Sequence, residues 1–356
     1  MAAVQRPVFQ AQWNNANQHL KPVDQTLLRK IARVAWNIFS AVIFPIGLGR
    51  LIGAGIGQIA NHALLPSAHK TPDEIADAKR RHQIIWHNPN PSPDIQTIRD
   101  AFTAEECTIA TPDGAHLSAT HFRARNATAA SPTMIYFQPN GTLKDHGVHL
   151  PLMAASTLGA PANFVVFDYR SVGESTGKFK GMRDLEIDGS AIGQWVQNGL
   201  GVPAHQIQFY GFSLGGAVAV CTQAQDPALT GPNGNERSFS SIKEMIRAIL
   251  NKLNRFKWLA SLISWAVKAQ GYEMNVVSSY QKLQGRKLVI YHAEDPVIPY
   301  EASLENGLKT IPHEALQLES PPLPINEHCA PLQVFNQAET GRPSLEVVRE
   351  FFFSRA

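Results

Sequence analysis

The sequence predicts an α/β protein, with a mostly parallel sheet and helices on both of its faces. Two short runs, residues 134–137 and 164–167, are apolar throughout, and a helix pattern follows each of them. A third apolar run, residues 207–210, leads directly into a serine between glycines and then into another helix pattern. Continuous apolar strands that alternate with helices are typical of parallel sheets buried on both faces. These observations predict the fold class.

Length and composition limit the classes of protein to be considered. The chain has 356 residues, 44% of them hydrophobic, which is enough for one large core and an accessory region. The net charge is +3 and no basic block contains interleaved aromatic residues, so nucleic-acid binding is not predicted. Cys107, Cys221 and Cys329 lie far apart without metal-ligand spacing, and the first residues lack the pattern of a secretory signal. We expect reduced thiols in a chain that is cytoplasmic where it is made.

Residues 1–104 form the first predicted domain, a helical and partly apolar extension. Its apolar runs, residues 34–49 and 51–61, each fall short of the ~20 residues that a membrane-spanning helix needs. Pro45 kinks the first run, and Arg50 separates the two. The pair is interpreted either as helices that cover an edge of the catalytic domain, or as a hairpin that lies in a membrane interface or guards a lipophilic tunnel.

A helix start precedes the predicted domain boundary. Thr71 is a good N-cap residue, Pro72 suits the first helical turn, and Glu74 completes a capping box. The helix is predicted to run to about residue 86. Residues 87–94 are rich in proline and asparagine and are predicted to form a linker.

The second predicted domain, residues 105–356, begins with a hairpin. Residues 112–114 read PDG between two strand patterns, which predicts antiparallel strands at one edge of the sheet. The elements predicted after it are strands at 134–137, 164–167, 207–210, 287–291 and 316–318, with helices near 148–156, 185–196, 214–225 and 345–352.

Residues of about 227–271 interrupt this alternation and are predicted to be a lid insert. A polar loop comes first, and helix patterns at 242–253 and 258–269 follow. An insert here would lie over the sheet edge where the serine emerges. We therefore predict a lid that shapes an apolar acyl or alcohol pocket; the alternative is a pair of helices that only pads the core.

The serine between glycines is Ser213, within Gly211-Phe212-Ser213-Leu214-Gly215. This segment fits Gly-x-Ser-x-Gly, a sharp turn from strand to helix that exposes a nucleophilic serine. Glycines remove side chains that would collide in such a turn, and the following helix N-terminus favours developing negative charge. We predict that Ser213 is a nucleophile; a tight structural turn is the alternative.

A nucleophilic serine needs a base, and the base needs a carboxylate to orient it. With this type of turn the three follow in the order serine, acid, histidine. Asp295 lies just past a predicted strand, where catalytic groups gather in such sheets, and Glu294 is the alternative acid. His328 follows the last predicted strand, whereas His313 precedes it, at the wrong end of the sheet. The predicted triad is Ser213, Asp295 and His328.

Two backbone N–H groups are expected to stabilise the oxyanion. One belongs to Leu214, directly after the serine, and the other to the loop after the strand at 134–137. In that loop Pro139 has no N–H, so Asn140 or Gly141 must donate. Asn140 is the predicted donor.

Together these residues resemble the α/β-hydrolase superfamily. Residues 167–177, which read FDYRSVGESTG, are similar to the Asp-Tyr-Arg-Gly-x-Gly-x-Ser-x-Gly loop of its serine-hydrolase branch, which includes monoacylglycerol-lipase-like and peptidase-like members. Ser171 stands where that loop has glycine, and Gln138-Pro139 stands where the branch has His-Gly. Arg170 in this loop is interpreted either as a structural ion-pair partner or as a substrate contact.

A shorter stretch resembles the CHLPS-type proteins of intracellular bacteria. It consists of residues 44–48, which read FPIGL, with residues 64–66, which read LLP. The resemblance implies a bacterial hydrolase of undefined substrate. One expectation is an effector, exported into a host cell without a signal peptide, that acts on host lipids or acylated molecules.

The leading functional hypothesis is a serine hydrolase that cleaves a carboxylic ester or thioester through an acyl-enzyme, with a small-molecule or lipid ester as substrate. No metal or organic cofactor is expected, because the triad chemistry needs none. The alternative is a weak or silent hydrolase fold that binds membranes through residues 34–61, motivated by Gln138-Pro139 and the long N-terminal region. An acyltransferase with the same triad is a third hypothesis.

Overall fold

The computed structural model describes residues 59, 61–252, 260–321 and 324–354. Within them the strands are β1 Phe102–Ala110, β2 His116–Ala124, β3 Thr133–Phe137, β4 Asn163–Phe167, β5 Ile207–Phe212, β6 Asn233–Glu236, β7 Lys287–His292, β8 Glu314–Glu319 and β9 Asn336–Gln337. The helices are α1 Pro72–His87, α2 Pro93–Ala101, α3 Leu150–Thr157, α4 Met182–Gln194, α5 Leu214–Gln223, α6 Ile242–Lys252, α7 Ala260–Ala269, α8 Val276–Tyr280, α9 Leu304–Gly307 and α10 Ser344–Phe353.

The strands of these described ranges form one sheet, in the order β1-β2-β4-β3-β5-β6-β7-β8-β9. Neighbours between β4 and β8 pair in parallel, whereas β1–β2, β2–β4 and β8–β9 pair antiparallel. From β3 the chain passes to β4 on one side and then to β5 on the other. The carboxyl ends of β3 and β5 therefore lie at a switch point, where open α/β sheets bind ligands.

Both faces of the sheet are buried. Ile135 and Phe137 of β3 belong to one core cluster, which also takes in side chains of α4 and α5. Met134 and Tyr136 belong to a second cluster, with side chains of α3 and α10. Because full burial of a large apolar side chain stabilises by about 1.5–3 kcal/mol, the two clusters make the sheet a rigid support for the loops at its edge.

The predicted capping box of α1 is confirmed, and the predicted linker after it is too long. The Glu74 N–H donates to the Thr71 hydroxyl, and the Thr71 N–H donates to the Glu74 carboxylate. After α1 ends at His87, a second helix begins at Pro93 with Ser92 as its N-cap. Strand β1 starts at Phe102, and the division into two domains near residue 104 stays a prediction.

Strand β6 corrects the predicted lid insert. The prediction of a polar loop at the start of 227–271 is wrong, because Asn233–Glu236 forms a strand between β5 and β7. Two of the polar side chains of this buried strand have hydrogen-bond partners in the core, whereas both polar side-chain atoms of Asn235 lack one among the described residues. Asn233 Nδ2 donates to Gln223 Oε1 at 2.8 Å, and the Tyr210 hydroxyl donates to Glu236 Oε2 at 2.7 Å. The inserted helices, α6 and α7, follow this strand.

The apolar runs predicted at 34–49 and 51–61 lie outside the described residues, apart from residues 59 and 61. Within the described ranges, no helix has both the length and the apolar character needed to span a bilayer. The two interpretations of those runs stay open predictions.

Candidate active site

The turn at Ser213 joins β5 to α5. Ser213 has φ 55° and ψ −121°, a conformation that L-residues rarely adopt. A Cβ atom at Gly211 would lie 2.2 Å from Gly215 O, and one at Gly215 would lie 2.0 Å from Phe137 O, so both positions require glycine. The Ser213 N–H donates to Glu236 O of β6 at 2.8 Å. Neighbouring strands thus hold the strained serine at the carboxyl edge of the sheet.

The structure brings the three predicted triad side chains together. His328 Nε2 lies 2.9 Å from Ser213 Oγ, and His328 Nδ1 lies 2.7 Å from Asp295 Oδ2. The three residues are 4–6% exposed. They lie 115 and 33 positions apart in the chain, so the contacts depend on the fold and not on local geometry.

The chemistry of the partners fixes the tautomer of His328. An ionised carboxylate can only accept hydrogen bonds, so Nδ1 carries the hydrogen and donates to Asp295. Nε2 then presents a lone pair, which accepts the hydrogen bond of the Ser213 hydroxyl. In this arrangement the imidazole can remove the proton of the serine as it attacks.

The second oxygen of Asp295 is also held. Its Oδ1 accepts the N–H groups of Val297 and Ile298, each at 2.8 Å, so the carboxylate cannot rotate away from His328. The contact with His328 is made by Asp295 and not by the alternative acid Glu294. The alternative base His313 lies elsewhere, with its Nε2 2.5 Å from Glu305 Oε2.

The predicted oxyanion donors line the same cavity as Ser213. Within the described part of the chain, the backbone N–H groups of Asn140 and Leu214 have no hydrogen-bond acceptor. Both are therefore available to a substrate oxygen. The assignment of these two residues as donors stays a prediction.

Residues of the N-terminal region hold the loop that carries Asn140. Its carbonyl oxygen accepts the Ser67 N–H at 3.1 Å and the Ser67 hydroxyl at 2.7 Å. Its side-chain Nδ2 donates to Ala63 O at 3.3 Å. These contacts hold Asn140 in place, and Pro139 O, in the peptide group that carries the Asn140 N–H, accepts the Thr142 N–H at 3.4 Å.

An apolar cavity of about 380 Å³ opens beside Ser213. Asn140 and Ser213 are its polar lining residues, and Leu214 lies next to Ser213 in the chain. The other lining residues are all apolar: Ile59, Ala63, Leu64, Phe239, Ile242, Met245, Ile246, Ile249, Ile263, Val267, Val297 and Ile298. Helices α6 and α7 supply half of these side chains, as expected of the predicted lid. Ile59 belongs to the apolar run 51–61, one interpretation of which is a guard of a lipophilic tunnel. The contribution of Ala63 and Leu64 was not predicted, and their apolar character is the only sequence signal for it.

The contacts of Arg170 favour its structural interpretation. Its guanidinium is buried and pairs with Asp113 Oδ2 at 2.5 Å and with Asp188 Oδ1 at 2.8 Å. The next residue, Ser171, has φ 65° where the related loops have glycine. Its hydroxyl donates to Gly177 O at 3.0 Å and accepts the Phe179 N–H at 2.9 Å, which offsets the strain.

Two buried ionisable groups belong to the scaffold and not to the triad. Burial lowers the pKa of His149 to about 3, and its ring packs between those of Phe122 and Tyr136. Burial raises the pKa of Asp168 to about 7, although the Lys144 N–H donates to its carboxylate at 2.7 Å. The fold therefore favours the uncharged form of both groups.

Cys107 and Cys221 are not candidate nucleophiles. All three are free thiols, and burial raises the pKa of Cys107 to about 11 and that of Cys221 to about 12. Such thiols stay protonated, whereas the thiolate is the reactive form. In the described ranges, no group of three or more histidine, cysteine, aspartate or glutamate side chains is placed to hold a metal ion.

The sheet order and the glycine-flanked serine turn are those of the α/β-hydrolase fold, so the predicted fold class is confirmed. A protein-family model described as Chlamydia CHLPS protein (DUF818) matches residues 150–300. The predicted resemblance to CHLPS-type proteins is thereby confirmed over a segment that includes Ser213 and Asp295 but not His328.

Three curated relatives match part of the chain. Uncharacterized protein R595 of Acanthamoeba polyphaga mimivirus is 30% identical over 149 residues, which cover 39% of this chain and 49% of that protein. Protein bem46 of Schizosaccharomyces pombe is 30% identical over 118 residues, 33% of this chain and 38% of the relative. Uncharacterized protein Rv2307c of Mycobacterium tuberculosis is 25% identical over 150 residues, 42% of this chain and 51% of the relative. The chain thus spans about half or less of the length of these proteins.

Two esterases are among the solved structures to which the chain is similar. The Pyrococcus furiosus esterase Pf2001 is 18% identical with a TM-score of 0.46, over 61% of this chain and 81% of that one. The Pyrobaculum calidifontis esterase is 18% identical with a TM-score of 0.45, over 75% and 87% of the two chains. The assignment of the fold here rests on the sheet order and the turn at Ser213.

Proposed function

We propose that this protein is a serine hydrolase that cleaves a carboxylic ester or thioester through an acyl-enzyme, with the acyl chain bound in the apolar cavity. The observation that carries the proposal is the hydrogen-bonded series from Asp295 through His328 to Ser213, which ends at the wall of that cavity. A serine with only a structural role needs neither a base at 2.9 Å nor a strained backbone that presents it to a cavity.

The first half of the reaction forms the acyl-enzyme. Ser213 Oγ attacks the carbonyl carbon of the substrate while His328 Nε2 takes the serine proton. The N–H groups of Asn140 and Leu214 donate to the resulting oxyanion, and Asp295 stabilises the imidazolium. When the carbon–oxygen or carbon–sulfur bond breaks, His328 gives the proton to the leaving alcohol or thiol.

The second half releases the acid. A water molecule attacks the acyl carbon, and His328 removes one of its protons. The bond between the acyl carbon and Ser213 Oγ then breaks, and His328 returns the proton to that oxygen. The products are a carboxylic acid and the regenerated serine, so no external cofactor is consumed.

The cavity lining supports an acyl substrate. Its side chains are almost all aliphatic, and no charged residue is among those that line it in the described part of the chain. Each buried CH₂ group is worth about 0.8 kcal/mol, which is roughly a fourfold gain in kcat/KM per carbon until the cavity is filled. A charged or peptide substrate would leave polar groups without partners there.

Hydrolysis of p-nitrophenyl esters with acyl chains of increasing length tests this function. We expect release of p-nitrophenol by the full chain, with kcat/KM rising along the series until the cavity is filled, and no release above background by Ser213→Ala. A folded wild-type protein without turnover, or turnover that survives in Ser213→Ala, would contradict the proposal.

A second arm of the experiment separates hydrolysis from transfer and from simple binding. Added small alcohols that trap the acyl group as a new ester would favour the acyltransferase hypothesis. Binding of vesicles without turnover of any ester would favour the silent binding protein. Peripheral membrane contact through residues 34–61 and export into a host cell stay predictions.

Two matched isoleucine-to-tryptophan substitutions test whether the acyl chain binds in the cavity. Ile246→Trp fills the cavity from α6, so we expect kcat/KM for long acyl chains to fall at least tenfold relative to acetate, on the scale of a few buried CH₂ groups. Ile84→Trp is the control, because Ile84 is an exposed residue of α1 outside the cavity lining. Equal chain-length profiles for the two variants would show that the acyl group binds elsewhere.

A further inference from the structure

Arg237 lies directly after β6, where the sequence analysis placed a polar loop. The residue is 3% exposed and has φ 45°, a conformation that a side chain makes unfavourable. Its backbone N–H donates to Ile290 O of β7 at 2.6 Å. A buried charge on a strained backbone requires specific partners, and those of Arg237 point to a role.

The guanidinium of Arg237 holds the loop that carries the catalytic base. Its Nη1 donates to Glu327 O at 2.7 Å and to Ala330 O at 2.8 Å. These two carbonyl groups lie on either side of His328 in the chain. One side chain of the sheet thus binds the histidine loop at both ends of its turn.

The backbone N–H groups of His328 and Cys329, unlike these carbonyl groups, have their hydrogen-bond acceptor within the loop itself. Asn326 Oδ1 accepts the His328 N–H at 3.0 Å and the Cys329 N–H at 2.9 Å. Asn326 therefore closes the turn, but both of its partners belong to the same segment. Arg237 connects the backbone of this closed turn to the end of β6, in addition to the side-chain contacts of His328.

The surroundings of Arg237 restrict its movement. The guanidinium lies 4.6 Å from the ring centre of Phe212 and 5.1 Å from that of Phe335. The Phe212 ring is in turn 5.2 Å from the ring of His328. Glu236, which accepts the Ser213 N–H with its carbonyl, binds Arg237 Nη2 with its carboxylate. Two consecutive residues of the chain thus contact the nucleophile turn and the base loop.

We infer that Arg237 is a positioning residue, which sets the distance and orientation of His328 relative to Ser213 by binding the carbonyl groups of Glu327 and Ala330. The inference rests on the proposed function, because positioning matters only if His328 acts as a base. A 1 Å error in the placement of a reacting group can reduce a rate about 100-fold. Arg237 itself touches neither substrate nor the reacting atoms.

The competing interpretation is an ion pair that only stabilises the fold, as Arg170 does. A planar guanidinium can bind two carbonyl groups and a carboxylate together, whereas a lysine ammonium cannot reproduce that fork. Arg237→Lys therefore keeps the charge beside Glu236 and removes the geometry. Arg170→Lys makes the same change in a buried arginine whose ion-pair partners belong neither to the triad nor to the His328 loop, and it is the matched control.

The experiment measures the rate of labelling by a fluorophosphonate probe, per folded molecule, in the full chain. We expect labelling to slow by about 10- to 100-fold in Arg237→Lys and by less than about threefold in Arg170→Lys. For the same variant, kcat for a short ester should fall with KM nearly unchanged. Where Arg237→Lys does not fold, Arg237→Gln at low temperature replaces it. Folded Arg237 variants with wild-type labelling rates would overturn the inference.

A spectroscopic readout keeps the inference separate from the proposed function. In the wild type, the Nδ1–H proton of His328 should give a downfield NMR resonance because Asp295 accepts its hydrogen bond. We expect this resonance to broaden or disappear in Arg237→Lys and to persist in Arg170→Lys. An unchanged resonance overturns the positioning role. A third outcome is a resonance that is present in the wild type and lost in Arg237→Lys, while the wild type is neither labelled nor active. That outcome would refute the proposed function and leave the coupling between Arg237 and His328 standing.

Discussion

Two buried arginines, Arg170 and Arg237, are equally hidden from solvent and do different things. Arg170 binds carboxylates: Asp113 in the turn between β1 and β2, and Asp184 and Asp188 in α4. Its partners are parts of the scaffold, and the ion pairs join them. Arg237 has one carboxylate partner and two carbonyl partners, and the carbonyl groups belong to the loop of His328.

The difference shows that burial and charge do not tell whether a residue serves the fold or the reaction. The partners do. Where the partners are elements of the scaffold, a substitution should change the free energy of unfolding. Where they are groups that carry the triad, it should change the rate per folded molecule. The following predictions separate these two classes of residue.

The largest expected effect belongs to the triad carboxylate. Asp295→Asn cannot hold the Nδ1–H tautomer of His328 as the carboxylate does, so kcat for a short ester should fall by about four orders of magnitude. The side chain keeps its size, and the melting temperature should change by only a few degrees. Steady-state kinetics with calorimetry of the same preparation checks both. A loss of rate in proportion to a loss of folded protein would place Asp295 in the scaffold class.

Loss of the Arg170 ion pairs should have the reverse result. Arg170→Gln leaves Asp188 buried without its charged partner, which should lower the free energy of unfolding by about 3–5 kcal/mol. The rate per folded molecule should stay near that of the wild type. Urea unfolding and ester hydrolysis of the same samples test this. If the rate falls while the unfolding midpoint is unchanged, the assignment of Arg170 to the scaffold is wrong.

The buried His149 predicts how stability depends on pH. Burial lowers its pKa to about 3, so the uncharged ring contributes stability above pH 6.5, and that contribution is lost as pH falls toward 3. At pH 5 the loss is about 2 kcal/mol relative to neutral pH. His149→Leu removes the titration and two ring nitrogens that lack partners in the described residues. Its unfolding free energy should therefore fall less between pH 7 and pH 5 than that of the wild type.

The smallest expected effect tests the N-terminal support of the oxyanion loop. Ser67→Ala removes the hydroxyl that donates to Asn140 O at 2.7 Å and keeps the backbone hydrogen bond. One hydrogen bond is worth about 1 kcal/mol, so we expect fluorophosphonate labelling to slow by about two- to fivefold. The control is Ser92→Ala, which removes the N-cap of α2, far along the chain from Asn140. Equal labelling rates in the two variants would assign Ser67 to the scaffold class.

Most of the fold, and the contact of Ser213, His328 and Asp295, could be predicted because short local sequence patterns indicate them. The apolar strands are short and uniform, the serine turn is confined to five residues, and strand ends mark where Asp295 and His328 lie. The choice between His328 and His313 followed from the polarity of the sheet, which places catalytic groups at the carboxyl ends of strands. Such inferences need only the order of elements along the chain.

Strand β6 and Arg237 could not be predicted in the same way. The strand reads NGNE, and its stability depends on contacts with Gln223 and Tyr210 that no local pattern reveals. Ala63 and Leu64 at the cavity and Ser67 beside Asn140 are likewise brought to the site only by the folded chain. Helix α2 is different, since Ser92-Pro93-Asp94 repeats the start signal of α1 within a proline-rich segment that also fits a linker.

Mass spectrometry of the intact protein after reaction with a fluorophosphonate probe is the most direct test of the central claim. The proposed function predicts one adduct per molecule, mapped to Ser213 in the wild type and absent from Ser213→Ala, with much slower formation in His328→Ala. An adduct at another residue, or a wild-type protein that is folded and stays unmodified, would contradict it.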